Sequence, residues 1–188
     1  MNPYQNQPNQ YRKPAPPRSL TPTLISGWKT PKLKVIFSNV IKPYYYPNVP
    51  QVPRYSITLV VDPIKNMDFV DQVTKMEKNE NCATQFRVEI KKDENGFSNP
   101  TGKYLMKFHT REDIPIFKLE NGKPVPFELT KEIPRDSELE ITFDVSRYTS
   151  KQNGQNGLLS KATQILIHEM PTPTYKTYDA PESESAPF

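Results

Sequence analysis

The stretch Arg54-Tyr-Ser-Ile-Thr-Leu-Val-Val61 places an apolar side chain at every second position. These positions share one side of an extended chain: Tyr55, Ile57, Leu59 and Val61. Period-two alternation of this kind predicts a β-strand with one buried face. The strand ends at Asp62-Pro63. Residues 66–79 then repeat apolar side chains at helical spacing, which predicts an amphipathic helix with the stripe Phe69, Val70, Val73 and Met76.

The same reasoning predicts further strands on both sides of this strand–helix unit. The predicted single strands are residues 34–41, 84–92, 103–110 and 139–145, with a last strand within 158–170. In 84–92, Phe86, Val88 and Ile90 lie on one side. A hairpin is predicted within 114–130, with its turn at Asn121-Gly122. Residues 147–157 are expected to form a loop. Six or seven short strands with one capping helix fit a small antiparallel barrel better than a sandwich, which usually lacks the helix.

The composition changes at both ends of the chain. Proline makes up 21 of 188 residues, and the prolines cluster before position 54 and after position 170. We therefore expect three parts: a disordered Pro/Asn/Gln-rich basic arm at 1–32, one folded domain at 33–170, and a flexible acidic tail at 171–188.

Charge is distributed unevenly along the chain. Residues 1–61 contain eight Lys or Arg and no Asp or Glu, residues 62–170 contain 16 positive and 18 negative side chains, and residues 171–188 contain one positive and three negative. A basic front and a short acidic tail are typical of a protein that handles a polyanion. The tail carries Asp179, Glu182 and Glu184 and ends on Phe188, whose ring stands beside the terminal carboxylate. Such a tail can compete for the polyanion site or dock a partner.

The residues give little support for an enzyme. Two histidines and the single Cys82 are too few and too scattered for a nucleophile–base pair or a metal site, and the sequence has no glycine-rich phosphate loop. We therefore predict no catalytic residue, no metal and no cofactor. Without a signal region or an apolar run of membrane-spanning length, the chain is expected to be soluble and intracellular.

Rings and cations alternate repeatedly along the chain. Examples are Lys42 before Tyr44, Tyr45 and Tyr46, then Arg54-Tyr55, Lys103-Tyr104, Phe108 with Arg111, Phe117-Lys118 and Arg147-Tyr148. Single-stranded nucleic acid needs this combination, because cations follow the phosphates and exposed rings stack on unpaired bases. For Tyr55, Tyr104 and Phe108 a place in the barrel core explains the pattern equally well. Consecutive tyrosines at 44–46 cannot all point inward, and Tyr148 is expected at the surface.

Three segments carry a resemblance to a known family. They are residues 53–61 followed by the helix, residues 138–148 followed by a glycine loop and residues 157–167, and the acidic tail, whose ending Ala186-Pro187-Phe188 is also similar to the tails of bacterial single-stranded-DNA-binding proteins. In these the chain resembles the phage and viral single-stranded-DNA-binding proteins of the podophage kind, which have one OB-fold and an acidic C-terminal tail ending in Phe. The tail here has only three acidic side chains, and the basic arm is long for that family.

The resemblance implies a mainly β, OB-fold-like Greek-key barrel that binds single-stranded DNA without reading its sequence, in viral DNA replication, recombination and repair. It also implies a tail (Asp179, Glu182, Glu184 and Phe188) that recruits replication proteins such as a polymerase, helicase or primase. We assign phosphate contacts to Lys42, Arg54, Lys103, Lys107, Arg111, Arg147 and Lys151, and base stacking to Tyr44, Tyr45, Phe117 and Tyr148. A viral structural or adaptor barrel and an RNA-binding barrel are the alternatives. The oligomeric state, including a homodimer, stays open, and no membrane partner is expected.

Overall fold

A computed structural model of the chain describes residues 23–46, 49–150 and 154–171. For residues 44–46 and 49–53 it gives the course of the backbone only. In chain order the elements are β1 (Thr23–Lys29), β2 (Leu33–Tyr46), β3 (Val49–Val61), α1 (Met67–Asn79), β4 (Phe86–Lys92), β5 (Ser98–Thr110), β6 (Ile116–Glu120), β7 (Lys123–Pro126), β8 (Glu138–Thr149) and β9 (Asn156–Glu169).

Five of the described strands close into a ring in the order β2–β3–β5–β9–β8, and β8 returns to β2 through the pairs Leu33↔Leu139 and Lys34↔Glu138. The fold is therefore mainly β and OB-fold-like, as expected. Most of the described pairings are antiparallel, as expected, but two are parallel. Strand β9 runs parallel to β5 and to β6 because β6, β7 and β8 separate it from β5 along the chain and return it in the same direction.

The side chains that point into the ring form the core. Alternate residues of β3, β5 and β8 are fully buried, as their period-two pattern predicts: Ile57, Leu59, Val61, Met106, Phe108, Leu139, Ile141, Phe143 and Val145. The rings of Phe108 and Phe143 meet edge to face with centroids 5.0 Å apart. Phe108 is thus a core residue. Tyr55 and Tyr104, both half-buried, continue the same inward series on β3 and β5.

Helix α1 packs against the barrel through its predicted stripe. Phe69, Val73 and Met76 are buried, and Val70 packs against the core. The ring of Phe69 meets that of Phe86 edge to face at 6.4 Å, and Phe86 stacks on Tyr104 at 5.5 Å. The helix therefore covers the part of the barrel where β4 begins.

Residues 23–29 correct the expected arm at 1–32. They form β1, which pairs with β8 from Thr23↔Ser146 to Lys29↔Thr142. Trp28 packs edge to face on Phe143, with ring centroids 5.9 Å apart, and the carboxylate of Asp144 accepts hydrogen bonds from the Ser26 hydroxyl (2.7 Å) and the Gly27 N–H (2.9 Å). These contacts place in the sheet a segment that was expected to be disordered because the N-terminal stretch around it is rich in Pro, Asn and Gln. Residues 1–22 and 172–188 lie outside the described part of the chain.

Two further differences concern β4 and the β8–β9 hairpin. On β4, Phe86, Val88 and Ile90 pair with Met106, Tyr104 and Pro100, but Val88 and Ile90 are 51% and 61% exposed, while Glu89 is buried and accepts the Thr101 hydroxyl. The expected loop at 147–157 is shorter than predicted, since β8 continues to Thr149 and β9 begins at Asn156. The predicted hairpin at Asn121-Gly122 is present, and both turn residues have positive φ, as a two-residue turn requires.

Candidate nucleic-acid interface

The outward sides of β2, β3, β4 and β5 form one continuous surface, which we call the outer face. Residues opposite each other in adjacent strands project on the same side of a sheet. The register places Phe37, Thr58 and Lys107 in one row, Asn39, Ser56 and His109 in a second, and Lys34, Val60, Leu105 and Arg87 in a third. Arg54 shares this side of β3, since it precedes Ser56 by two residues.

Positive charge converges at one end of the outer face. His109 is half-buried, and its pKa is lowered from 6.5 to about 4. Burial is the largest cause, followed by the charges of Lys107, Arg54 and Arg87. These three cations come from three different strands, yet all lie close enough to repel a proton on one imidazole. At neutral pH the outer face therefore offers a neutral ring surrounded by positive charge.

An exposed aromatic side chain lies beside this cluster. The side chain of Phe37 is 49% exposed, and Thr58 separates it from Lys107 in the same row. Neighbouring strands are about 4.8 Å apart, so Phe37 and Lys107 start roughly 10 Å apart across the face. A ring and a cation at that spacing can engage a base and a phosphate of one flexible chain.

A groove of about 310 Å³ extends the outer face at its other end. Val60 lies in its wall, together with six cationic side chains: Lys32, Lys34, Lys65, Lys91, Lys103 and Arg135. Four carboxylates also line it, and several of them have local partners. Glu89 is 5% exposed and accepts the Thr101 hydroxyl at 2.6 Å, while Asp62 accepts the N–H groups of Ile64 and Lys65. Six cations against four carboxylates leave the lining of the groove with a net positive charge.

The structure brings together part of the predicted set of phosphate contacts. Arg54 and Lys107 lie on the outer face, and Lys103 lines the groove at its end. Arg111 is exposed one residue beyond the end of β5. Lys42 is exposed in β2, where the register with β3 shifts between Asn39 and Tyr44.

That shifted segment of β2 is held by a carboxylate. Glu132 accepts hydrogen bonds from the N–H groups of Val40 (2.7 Å), Ile41 (2.9 Å) and Lys42 (2.8 Å) and from the Ser38 hydroxyl (2.9 Å). Burial pushes the pKa of Glu132 up, but these four hydrogen bonds outweigh it and leave the pKa below its ordinary value. Glu132 therefore fixes the course of β2 just before the tyrosine segment.

Three other predicted residues lie apart from the outer face. Arg147 follows the inward series of β8 and pairs with Glu80, just after α1, at 3.4 Å. Tyr148 is half-buried in β8, with its ring against Gly157 of β9: a Cβ at Gly157 would lie 2.7 Å from that ring. The expectation that Tyr148 sits in an exposed loop is therefore wrong, because β8 runs past it. Phe117 is half-buried in β6, opposite Leu166 of β9.

The remaining predicted residues cannot be placed. The side chains of Tyr44 and Tyr45, and residues Lys151, Asp179, Glu182, Glu184 and Phe188, lie outside the described part of the chain. Their roles stay predictions.

The sequence reasoning also missed three residues of the outer face: Phe37, Arg87 and His109. All three lie in segments that were predicted as strands. The alternation of 34–41 and 84–92 indicates two sides but does not say which neighbours each side meets. The pairing of β2 with β3, and of β5 with both β3 and β4, supplies that information.

Cys82 and the acidic clusters have unremarkable surroundings. Burial raises the pKa of the Cys82 thiol; Arg147 opposes the shift, and Glu80 and Glu77 add to it. Across the described residues, no group of three or more His, Cys, Asp or Glu is placed to hold a metal ion. The described helix is too short and too polar to span a membrane.

The fold is similar to those of solved phage single-stranded-DNA-binding proteins. Two such structures are gp2.5, a single-stranded DNA binding protein encoded by bacteriophage T7 (TM-score 0.54, 14% identity, covering 77% of this chain and 87% of that one), and the C-terminally truncated single-stranded DNA-binding protein from bacteriophage Enc34 (TM-score 0.53, 14% identity, covering 77% and 86%). The Enc34 protein in complex with single-stranded DNA also matches, with a TM-score of 0.51 and 13% identity, over 85% of this chain and 99% of that one. No family model and no curated protein matches the sequence. At these identities the likeness establishes the fold, and the resemblance inferred from the sequence is confirmed at that level.

Proposed function

We propose that this protein binds single-stranded DNA, without sequence preference, across the outer face of β2, β3, β4 and β5. The observation that carries the proposal is that Arg54, Arg87, Lys107 and His109 share one side of three paired strands, with the exposed ring of Phe37 in the row of Lys107. Cations on a sheet follow a sugar–phosphate chain, and neutral rings beside them stack on any base.

The chemistry of the face favours binding without sequence reading. Phosphate contacts carry no base information, and stacking accepts all four bases because each has a π-face. A single strand also suits the shape of the surface, since Phe37 and His109 can reach only bases that are not already paired. The similar solved structures support the choice, because they are single-stranded-DNA-binding proteins and one was solved in complex with single-stranded DNA.

The wider role rests on the sequence and on the resemblance. A non-enzymatic protein with this interface would act inside the host cell in phage DNA replication, recombination and repair. The acidic tail with Asp179, Glu182, Glu184 and Phe188 would recruit replication proteins such as a polymerase, helicase or primase.

A salt titration with fluorescently labelled oligo-dT tests the interface. The logarithm of affinity should fall linearly with the logarithm of salt concentration, and removing one phosphate contact should reduce the slope by about 0.7. Lys107→Ala and Arg87→Ala should each do so, whereas Lys75→Ala, an exposed cation on α1, should leave affinity and slope unchanged. Phe37→Ala should weaken binding by about 1–3 kcal/mol with the slope unchanged, because a stacked ring carries no charge.

Two results would contradict the proposal. Absence of oligo-dT binding at low salt would remove the function, and equal effects of Lys107→Ala and Lys75→Ala would remove the outer face as its location. Competition between oligo-dT and an oligo-U strand separates DNA binding from an RNA-binding barrel, since only RNA offers the 2′-hydroxyl.

A further inference from the structure

The β4–β5 hairpin extends beyond the barrel and carries exposed apolar side chains. Every residue from 90 to 100 is exposed, and among the large apolar ones Val88 is 51%, Ile90 61% and Phe97 69% exposed. Single exposed apolar residues are ordinary on protein surfaces, but several on one hairpin suggest a contact surface. The face described above does not include Phe97.

The tip that carries Phe97 is well ordered. The carboxylate of Asp93 accepts hydrogen bonds from the N–H groups of Asn95 and Phe97, both at 2.9 Å, and from the side-chain amide of Asn99 at 3.0 Å. The Asp93 N–H donates to the Phe97 carbonyl at 2.9 Å, and Gly96 supplies the positive φ of the turn. The backbone at Phe97 is therefore already fixed, so a ligand of its ring loses little free energy in ordering it.

The base of the hairpin is fixed to the barrel as well. The buried Glu89 accepts the Thr101 hydroxyl across the two strands at 2.6 Å. Nearer the barrel, the ring of Phe86 on β4 stacks on the ring of Tyr104 on β5, and both pack against the core. These contacts fix the direction in which the hairpin leaves the barrel.

Two features indicate what the hairpin contacts: its positive charge, and the fact that its strands continue into the outer face. Strands β4 and β5 also carry Arg87 and Lys107 of the outer face, and Lys103 lies between that face and the hairpin tip. Lys91 and Lys92 lie just before the turn. Glu89 and Asp93 are engaged in the hydrogen bonds described above, Glu89 also lies 3.8 Å from the Lys91 ammonium, and Glu94 is exposed at the turn. Lys91 lines the groove together with Lys103, whereas Lys92, the next residue of β4, projects to the opposite side of the hairpin. A polyanion that leaves the outer face past Lys103 therefore meets Lys91 and then the ring.

We propose that the hairpin extends the nucleic-acid site, with Phe97 stacking on a base that lies beyond the outer face. Lys91 contacts the adjoining phosphate. The proposal rests on the proposed function, because the same strand must first occupy the outer face. It predicts that Phe97 matters only for strands long enough to reach it.

The experiment compares Phe97→Ala, Ile90→Ala and the wild-type protein on oligo-dT strands of increasing length. Ile90→Ala is the matched control, since it removes an exposed apolar side chain from the same hairpin but no ring. On the shortest strands that bind, all three proteins should have the same affinity. On longer strands Phe97→Ala should bind about 5-fold to 100-fold more weakly, the range expected for one base stacked on a ring.

A direct spectroscopic readout uses Phe97→Trp. Its added fluorescence should be quenched by long strands and not by short ones, while Trp28, packed on Phe143, should respond to neither. Phe97→Trp should also keep wild-type affinity for long strands. Urea unfolding of each variant checks that the barrel is intact.

Three outcomes would overturn the proposal. Phe97→Ala binding as tightly as the wild type at every length would remove the stacking role. Equal losses from Phe97→Ala and Ile90→Ala, with a change in sedimentation, would assign the hairpin to contact with a second copy of the chain. An equal loss of affinity in Phe97→Ala for DNA strands of every length would mean that this substitution damages the outer face. Failure of the wild-type protein to bind any strand would instead refute the proposed function.

Discussion

His109 joins the electrostatics of the outer face to measurable pH effects. The unfolded chain binds a proton at this residue near the ordinary pKa of 6.5, whereas the folded protein resists protonation until about 4. The free energy of unfolding should therefore fall as the pH drops through this window. Bound phosphates would offset the charges of Lys107, Arg54 and Arg87 and raise the pKa of His109, so protonation and DNA binding should favour each other.

The resulting prediction is that affinity for oligo-dT rises about two- to five-fold between pH 7 and pH 5 at constant ionic strength. His109→Gln should remove most of this rise. His168→Gln is the control, because His168 contacts Glu140 at 3.0 Å on the β8–β9 hairpin and not on the outer face. A pH dependence that survives in His109→Gln would show that another group is responsible.

Glu132 provides a second pH-dependent prediction, this time for stability. Its pKa is lowered in the folded state, so its contribution is present above the ordinary value of 4.5 and lost as the pH falls through the folded pKa. Glu132→Gln should reduce the free energy of unfolding by about 1–3 kcal/mol at pH 7, because buried N–H donors lose a charged acceptor. Urea unfolding should show a smaller difference in stability between the wild-type protein and Glu132→Gln at pH 3.5 than at pH 7.

Glu77 is the matched comparison for Glu132. Its pKa is raised, chiefly by burial, although the Gln85 N–H and the Thr84 hydroxyl donate to it. A raised pKa means that its stabilising contribution is present at low pH and lost as the pH rises, the opposite sign to Glu132. Glu77→Gln should therefore be tolerated at pH 7 far better than Glu132→Gln. Equal destabilisation by the two substitutions would contradict this account.

Strand β1 shows how an element outside the ring contributes to the barrel. Its hydrogen bonds to Asp144 and the contact of Trp28 with Phe143 cover one edge of β8. Removing residues 1–22 should leave the urea midpoint unchanged, whereas removing residues 1–29 should lower it. Trp28→Ala alone should cost roughly 2–3 kcal/mol, less than a fully buried aromatic residue, because Trp28 is partly exposed. Equal midpoints for the two truncated proteins would mean that β1 adds nothing to stability.

Across the full chain, charge separates into a basic front, a nearly balanced middle and an acidic end. The last eleven residues carry three carboxylate side chains and no Lys or Arg, opposite in sign to the cations of the outer face. If the tail competes for that face, deleting residues 178–188 should tighten binding to oligo-dT. The gain should be larger at low salt, since screening weakens such competition.

A length-matched variant separates charge from chain length. Asp179→Asn, Glu182→Gln and Glu184→Gln combined should reproduce most of the gain, because they remove charge and keep the tail. Deleting residues 178–188 should also abolish the proposed recruitment of replication proteins. Unchanged DNA affinity in the deleted protein would reject competition by the tail while leaving the outer face intact as the binding surface.

The sequence alone determined the local structure well. Alternation of apolar residues in β3 and β5, the helical stripe of α1 and the Asn121-Gly122 turn each follow from neighbours within a few positions, and all are present. Local signals failed where distant contacts decided the outcome. Thr23–Lys29 became a strand through its pairing with β8, and Glu89 of β4 is buried while Val88 is exposed.

The candidate site was decided by tertiary structure. Arg54, Lys103 and Lys107 were chosen because each stands near a ring in the sequence, and they share a surface because β3 and β5 pair in register. Arg147 satisfied the same local criterion, yet it pairs with Glu80 near the end of α1. Arg87 follows Phe86 and His109 follows Phe108 in the sequence, yet neither was selected, and Phe37 has no cation beside it; all three lie on the outer face. A binding face is a set of side chains from different strands, and only the pairing of those strands fixes its members.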